Sequence, residues 1–181
     1  AGGYSGKLAR KWKEKHMDTN EQGLTVYQRP GELRVYSPDE LDTLHKTLAA
    51  GTTPVQFALF LAIAKAAGLD PFRRHLYAVV YNGKMAVITG IDGFRAIAER
   101  SGSYAGQTPT QWCGPDGQWV DVWLAPGAPA AARVGIYRKG FAEPTYQAVL
   151  YREFVRPTQL WKDMPAHMLG VRAEAHAIRR A

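Results

Sequence analysis

Cysteine is almost missing from this chain of 181 residues, with Cys113 standing alone. One thiol cannot close an intrachain disulfide, and it leaves no cysteine cluster for a zinc site. Long apolar runs are missing too. The best, residues 55–67, is interrupted by Gln56 and Lys65 and is shorter than the roughly 18 residues that suggest a membrane span. The opening AGGYSGKLARKWKEKH lacks the apolar stretch of a secretory signal. A soluble, reducing, cytosolic setting is therefore expected, with no membrane partner. No GxxxxGK(S/T) phosphate loop occurs, which argues against ATP use through that device. His16, His45, His75, His167 and His176 show no metal-ligand spacing. Asp92, Asp116, Asp121 and Glu143 could in principle hold magnesium, but Asp92 reads as a helix cap and Asp116 as a turn former. Cys113 has no nearby histidine and reads as a strand core residue, not a nucleophile. No catalytic constellation survives, and no cofactor or metal is expected.

Apolar residues make up 46% of the chain and aromatics 11%, enough for a packed core and against wholesale disorder. The net charge of +7 is unevenly spread. Residues 1–16 carry +4, residues 17–70 carry −3, residues 71–132 carry +1 and residues 133–181 carry +5. A basic final third suits a polyanion, and an acidic stretch before it suits a neighbouring subunit; a solvated surface explains charge excess equally well.

Residues 1–36 have weak periodicity and read as an arm, within which residues 7–15 suggest a short basic helix. Met17 is a candidate native start with added residues before it. A single core domain is expected over 37–181. Ser37-Pro38-Asp39-Glu40 opens a helix with a capping box, Leu41, Leu44 and Leu48 share its inner face, and Gly51 ends it. Thr53-Pro54 starts a second helix, apolar nearly all round, that runs to Gly68. Phe57 and Phe60 on it are candidate positions where a charge would disperse an assembly. Asn82-Gly83 marks a two-residue hairpin between strands 76–81 and 84–89. Asp92 is expected to cap a two-turn helix with Phe94, Ile97 and Ala98 inward, stopped by Gly102. Strands follow near 107–113, 119–124, 132–138 and 145–150, then a last helix from about Pro165. On the second of these strands Trp119 and Trp123 are expected to share one packed face. The order predicts an α+β fold: N-terminal helices, an antiparallel sheet with hairpins and a short helix, and a C-terminal basic helix packed on it.

Arg172, His176 and Arg179 fall at i, i+4 and i+7 of the last helix and share a face. Met168, Val171, Ala175 and Ile178 form the adjacent stripe, expected to pack on the sheet. Arg133, Arg138 and Lys139 add charge at a strand and its end. Aromatics lie among these cations: Tyr137, Phe141, Tyr146, Tyr151 and Trp161. Cations that track phosphates, with rings on which bases stack, hold single strands without reading sequence. A solvated amphipathic helix and core-packed aromatics remain the plain alternative.

Four segments carry a resemblance. Gly68-Leu-Asp-Pro-Phe-Arg-Arg-His-Leu-Tyr77, Gly90-Ile-Asp-Gly-Phe94, Arg133-Val-Gly-Ile-Tyr-Arg-Lys139 and Trp161-Lys-Asp-Met-Pro-Ala-His-Met-Leu169 occur in order. Together they resemble the Bet (Redβ) branch of the RecT-like phage single-strand annealing proteins, over about residues 37–181. The resemblance implies single-stranded DNA binding without ATP, annealing of complementary strands, and homo-oligomeric rings or filaments. It also implies work beside a 5′→3′ exonuclease and a host single-strand-binding protein, in a bacterial cytoplasm. The region that contacts those two proteins is expected to be absent, because the chain stops mid-helix at Arg179-Arg180-Ala181. Arg172 and Arg179 fall where the family has basic residues. Ala166 and Gly170 stand where a relative can be basic. The candidate DNA-binding set is Arg172, Arg179, His176, Arg133, Arg138, Lys139, Lys162 and His167, with Tyr137, Tyr151 and Trp161 as candidate stacking rings. Two other classes stay open: a β-rich module that binds single-stranded DNA or RNA without annealing assemblies, and a metal-dependent nuclease.

Overall fold

A computed structural model describes residues 24–29 and 32–181 of the chain. Leu24–Arg29 (β1) and Glu32–Tyr36 (β2) pair antiparallel, with Leu24 opposite Tyr36. Part of the expected arm is thus a ladder. The basic helix expected over 7–15 and the start at Met17 lie outside the described residues.

Pro38–Thr47 (α1) opens on a reciprocal cap. Ser37 Oγ accepts from the Glu40 amide at 3.2 Å, and Glu40 Oε2 accepts from the Ser37 amide at 2.8 Å. Two otherwise orphaned donors are satisfied, an arrangement whose loss typically costs about 1 kcal/mol. Leu41 and Leu44 are buried. The helix stops at Thr47, with Leu48 as its cap, and Gly51 (φ +78°) lies in the following turn and not at the helix end. Pro54–Ala67 (α2) has the same device from Thr53 and Gln56, and Gly68 ends it in the left-handed conformation. Its inner face is Phe57, Phe60, Leu61 and Ala64. Val55, Leu59 and Ile63 recur every four residues on the outside, Val55 being 75% exposed. The near-uniform apolarity of α2 therefore resolves into a buried face and an exposed ridge.

The segment after α2 ties backbone together. Asp70, buried, accepts from Tyr36 Oη at 3.0 Å and from the Phe72 amide at 2.9 Å, and its own amide donates to His75 Nδ1 at 3.2 Å. Leu76–Tyr81 (β3) and Lys84–Thr89 (β4) form the expected hairpin. Asn82 and Gly83 both have positive φ, as a type I′ turn requires. Ile91–Arg100 (α3) begins two residues earlier than a cap at Asp92 would place it, so Asp92 lies in the first turn, where its charge favours the helix dipole. Gly93 packs so closely that a Cβ there would stand 2.2 Å from the His75 carbonyl oxygen. Ala98 is buried, whereas Ile97, expected inward, is exposed.

The chain divides into two compact units, one ending at Gly93 and one beginning at Phe94. The second is built on Ala131–Arg138 (β8). One edge of β8 pairs with Tyr104–Gln107 (β5) and Gln111–Cys113 (β6), the other with Thr145–Leu150 (β9). The single strand expected over 107–113 is two strands, since Pro109 has no N–H for a ladder. Thr108 bridges the gap instead, its Oγ1 accepting from the Gly135 amide at 2.9 Å. Trp119–Val120 (β7) is shorter than expected, and the Trp123 indole donates to the Gly127 carbonyl at 3.0 Å. Trp119 and Trp123 therefore do not share a strand face. Two short helices, Tyr151–Phe154 (α4) and Gln159–Asp163 (α5), precede Pro165–Arg180 (α6).

Helix α6 packs on the sheet through Leu169, Ala173 and Ala177, which meet Ala132, Val134, Ile136, Val149 and Trp161 in one buried cluster. This corrects the stripe expected from Met168, Val171, Ala175 and Ile178; Met168 and Ile178 only flank the cluster. Small residues win because they let the helix come close to the sheet. Gly170 shows how close: a Cβ there would lie 3.2 Å from Thr110 Cγ2 and from Trp112 Cζ2. The fold is α+β with antiparallel sheets and a C-terminal helix on the five-stranded one, as the sequence indicates.

Candidate nucleic-acid interface

Arg172 and Arg179 are exposed on α6. Seven residues separate them, so they stand about two turns and about 10 Å apart along the axis. The helix under them is fastened by the alanine stripe and by a second tether. Glu174, buried, takes both Arg95 Nε (2.6 Å) and Arg95 Nη2 (2.9 Å). Removing one member of such a pair leaves an uncompensated charge, which is why it holds α6 in place against α3. Burial raises the Tyr104 phenol above its ordinary pKa, and Glu174 and Glu99 add to that, so Tyr104 stays neutral. Neither the Arg95–Glu174 pair nor its neighbour Tyr104 was foreseen; the only signal was an acid set among alanines, Ala173-Glu174-Ala175.

His176 lies between the two arginines in sequence but is half-buried, its ring edge-on to Phe154 at 5.0 Å. Burial lowers its pKa from the ordinary 6.5, and Arg179 and Arg172 lower it further. It therefore adds no charge at neutral pH. Because the fold favours the neutral ring, the unfolded chain binds the extra proton first. Stability should be complete above pH 6.5, fall as the pH drops through that value, and level off below the folded pKa. His176→Phe keeps a ring against Phe154, and thermal melts between pH 7.5 and 5.5 should show it losing that part of the acid sensitivity.

Strand alternation divides the remaining candidates. Ala132, Val134 and Ile136 face α6, so Arg133 and Tyr137 face away from it. Arg138 is on the α6 side at the end of β8, its Cζ 5.1 Å from the Phe141 ring centroid and its Nε buried without a partner. Lys139 is exposed in the next turn and Lys162 on α5. His167, exposed, lies about 140° around α6 from Arg172. Trp161 is 3% exposed and edge-on to half-buried Tyr151 at 5.8 Å, so its ring is core and offers a base no face. Gly170 sits on the packed side of α6, facing Thr110 and Trp112 rather than solvent, and the Ala166 carbonyl accepts from Trp112 Nε1 at 2.8 Å.

Arg133 has partners that the sequence did not reveal. Its Cζ lies 4.3 Å from the Trp119 ring centroid and 5.4 Å from that of Tyr146, and its Nε donates to Gln111 Oε1 at 2.8 Å. Gln111 faces Arg133 across the β6–β8 ladder, a pairing that only the register shows. Cys113, two pairs further on, is buried; burial chiefly, then Asp116, raises its thiol pKa, which keeps it protonated and unreactive. Among the described residues no three His, Cys, Asp or Glu side chains gather as a metal site, and no helix is long and apolar enough to cross a membrane.

A helix carrying exposed arginines, mounted on an antiparallel sheet whose far face holds a stacked arginine, defines an α+β module with surface chemistry for a polyanion. Residues 36–181 match the RecT family, and the chain belongs to that family. Membership is consistent with single-strand annealing in phage recombination. No curated protein matches the chain.

Proposed function

We propose that the protein binds single-stranded DNA and anneals complementary strands without ATP or a metal cofactor, as an oligomeric ring or filament acting in phage homologous recombination in a bacterial cytoplasm. The observation that carries this reading is the pair Arg172 and Arg179, exposed two turns apart on a helix whose neighbouring face is fixed to the sheet. Annealing breaks and makes no covalent bond. Base pairing supplies the free energy; the protein has to suppress phosphate repulsion and leave base edges free, which cationic backbone contacts do. Arg138, Lys139 and Lys162 supplement the row. A 5′→3′ exonuclease and the host single-strand-binding protein are the proposed protein partners.

Few cations per subunit make assembly part of the mechanism, because weak sites on one strand then act together. The proposed contact is the ridge Val55, Leu59 and Ile63. Phe57 and Phe60, the positions suggested by sequence, are buried, and a charge there would unfold the unit instead of dispersing assemblies. In a fluorescence annealing assay the protein should accelerate pairing with no nucleotide present. Leu59→Glu should abolish both the acceleration and the assemblies seen by electron microscopy, with an unchanged far-ultraviolet circular dichroism spectrum. A strict ATP requirement, or magnesium-dependent loss of a labelled oligonucleotide, would reject the proposal.

A further inference from the structure

We infer that the sheet face turned away from α6 is a second single-strand site, one that stacks unpaired bases while the α6 row holds phosphates. The inference rests on the nucleic-acid reading above and adds to it a place and a chemistry. Alternation and register put Arg133, Gly135 and Tyr137 of β8, Gln111 of β6 and Tyr146 of β9 on this face, with Gly135 opposite Tyr146. Gly135 makes the platform possible. A Cβ there would stand 3.0 Å from Tyr146 Cε1, Thr108 Cγ2 and Pro144 Cβ, so the Tyr146 ring lies against bare backbone. Tyr146 is still 47% exposed and Tyr137 38%.

The guanidinium beside these rings is set in advance. Trp119, Tyr146 and the Gln111 side chain hold Arg133, while its terminal N–H groups have no acceptor among the described residues and reach solvent. Asp121 reaches it only through Gln111, whose amide donates to that carboxylate at 2.9 Å while its carbonyl accepts from Arg133, so the two charges make no direct ion pair. A planar cation already fixed among aromatic faces loses little further freedom when it meets a phosphate or a base. Same-face residues on a strand are about 6.8 Å apart, roughly twice the 3.4 Å rise of stacked bases, which leaves room for a ring between neighbouring bases. A cation with no direct carboxylate partner, set beside open rings, suits a polyanion with π faces better than a second copy of a net-basic chain.

The test is photocrosslinking of the full chain to a 5-bromouracil-substituted oligonucleotide, with adducts mapped on tryptic peptides. Adducts are expected at Tyr137 in peptide 134–138 and at Tyr146 in peptide 140–152. They should persist in the Arg172→Ala/Arg179→Ala variant once the DNA concentration is raised to restore binding. Tyr146→Leu and Tyr137→Leu should each weaken binding at least fivefold, as lost base stacking does. Neither should change the salt slope, since no phosphate contact is removed, and Tyr146→Phe should restore affinity. Bound DNA that crosslinks only to α6 overturns this inference and leaves the parent reading standing. Tyr146→Leu that dissolves assemblies without weakening DNA binding by the dispersed subunit overturns it too, and marks the face as a subunit contact. A chain that binds no oligonucleotide at all removes both.

Discussion

Replacing Arg172 and Arg179 together by alanine is expected to lower the slope of log affinity against log salt by about 1.4 units. Each neutralised phosphate of a single strand contributes about 0.7. The loss should be the same for every base sequence, because backbone contacts carry no sequence information. At moderate salt it should reach roughly tenfold for the pair. Each single variant should give about half the slope change. Arg180→Ala is the internal comparison. Arg180 points about 100° away from Arg179, and its Nη1 already donates to Gln147 Oε1 at 2.9 Å on β9. Its removal should hardly move the slope. Equal effects from all three arginines would mean that the charge acts as a diffuse field and that no row on one face exists.

The second large effect concerns folding. Gly93→Ala would place a methyl group 2.2 Å from the His75 carbonyl oxygen and 2.8 Å from Thr89 Cγ2. The first obstacle is backbone, which cannot swing aside as a side-chain tip can. Over-packing of this kind costs about 1–3 kcal/mol, and this contact belongs at the upper end. A unit of this size should then melt roughly 12–24 °C lower. Gly170→Ala gives the scale. Its methyl would meet only side-chain atoms at 3.2 Å, and alanine returns up to about 1 kcal/mol of helix propensity over glycine. Near-neutral behaviour is expected there. Circular dichroism melts of both variants check the contrast.

Local devices were the most legible in the sequence. The caps at Ser37 and Thr53 and the turn at Asn82-Gly83 stand in the structure as their residues predict, because each is decided by atoms within a few positions. Elements decided by distant packing were not. The short helices α4 and α5 have too few residues for periodicity to mark them; Tyr151, Phe154 and Trp161 set their place by packing into the core of the second unit. The break at Pro109 did carry a signal, since proline interrupts a ladder. In α6, side-chain size pointed to Met168, Val171 and Ile178, whereas a close helix–sheet approach selects Leu169, Ala173 and Ala177.

The candidate site divides along the same line. Spacing along one helix sufficed to place Arg172 and Arg179 together. The alternation of Arg133 and Tyr137 with Ala132, Val134 and Ile136 was there to read, but not which face α6 would cover. Nothing local indicated that Gln111 and Trp119 would hold Arg133, because that depends on the register of β6 and on where β7 ends.

The alanine and glycine mount of α6 has a consequence for how such a surface can change over generations. Because Leu169, Gly170, Ala173 and Ala177 carry the attachment, the positions of Arg172 and Arg179 have no duty in folding. A cation there can be lost from one turn and regained on the next by single codon changes, with the scaffold undisturbed throughout. Grip on a strand can thus drift in strength, and in the salt at which it works, without the chain passing through an unfolded intermediate sequence.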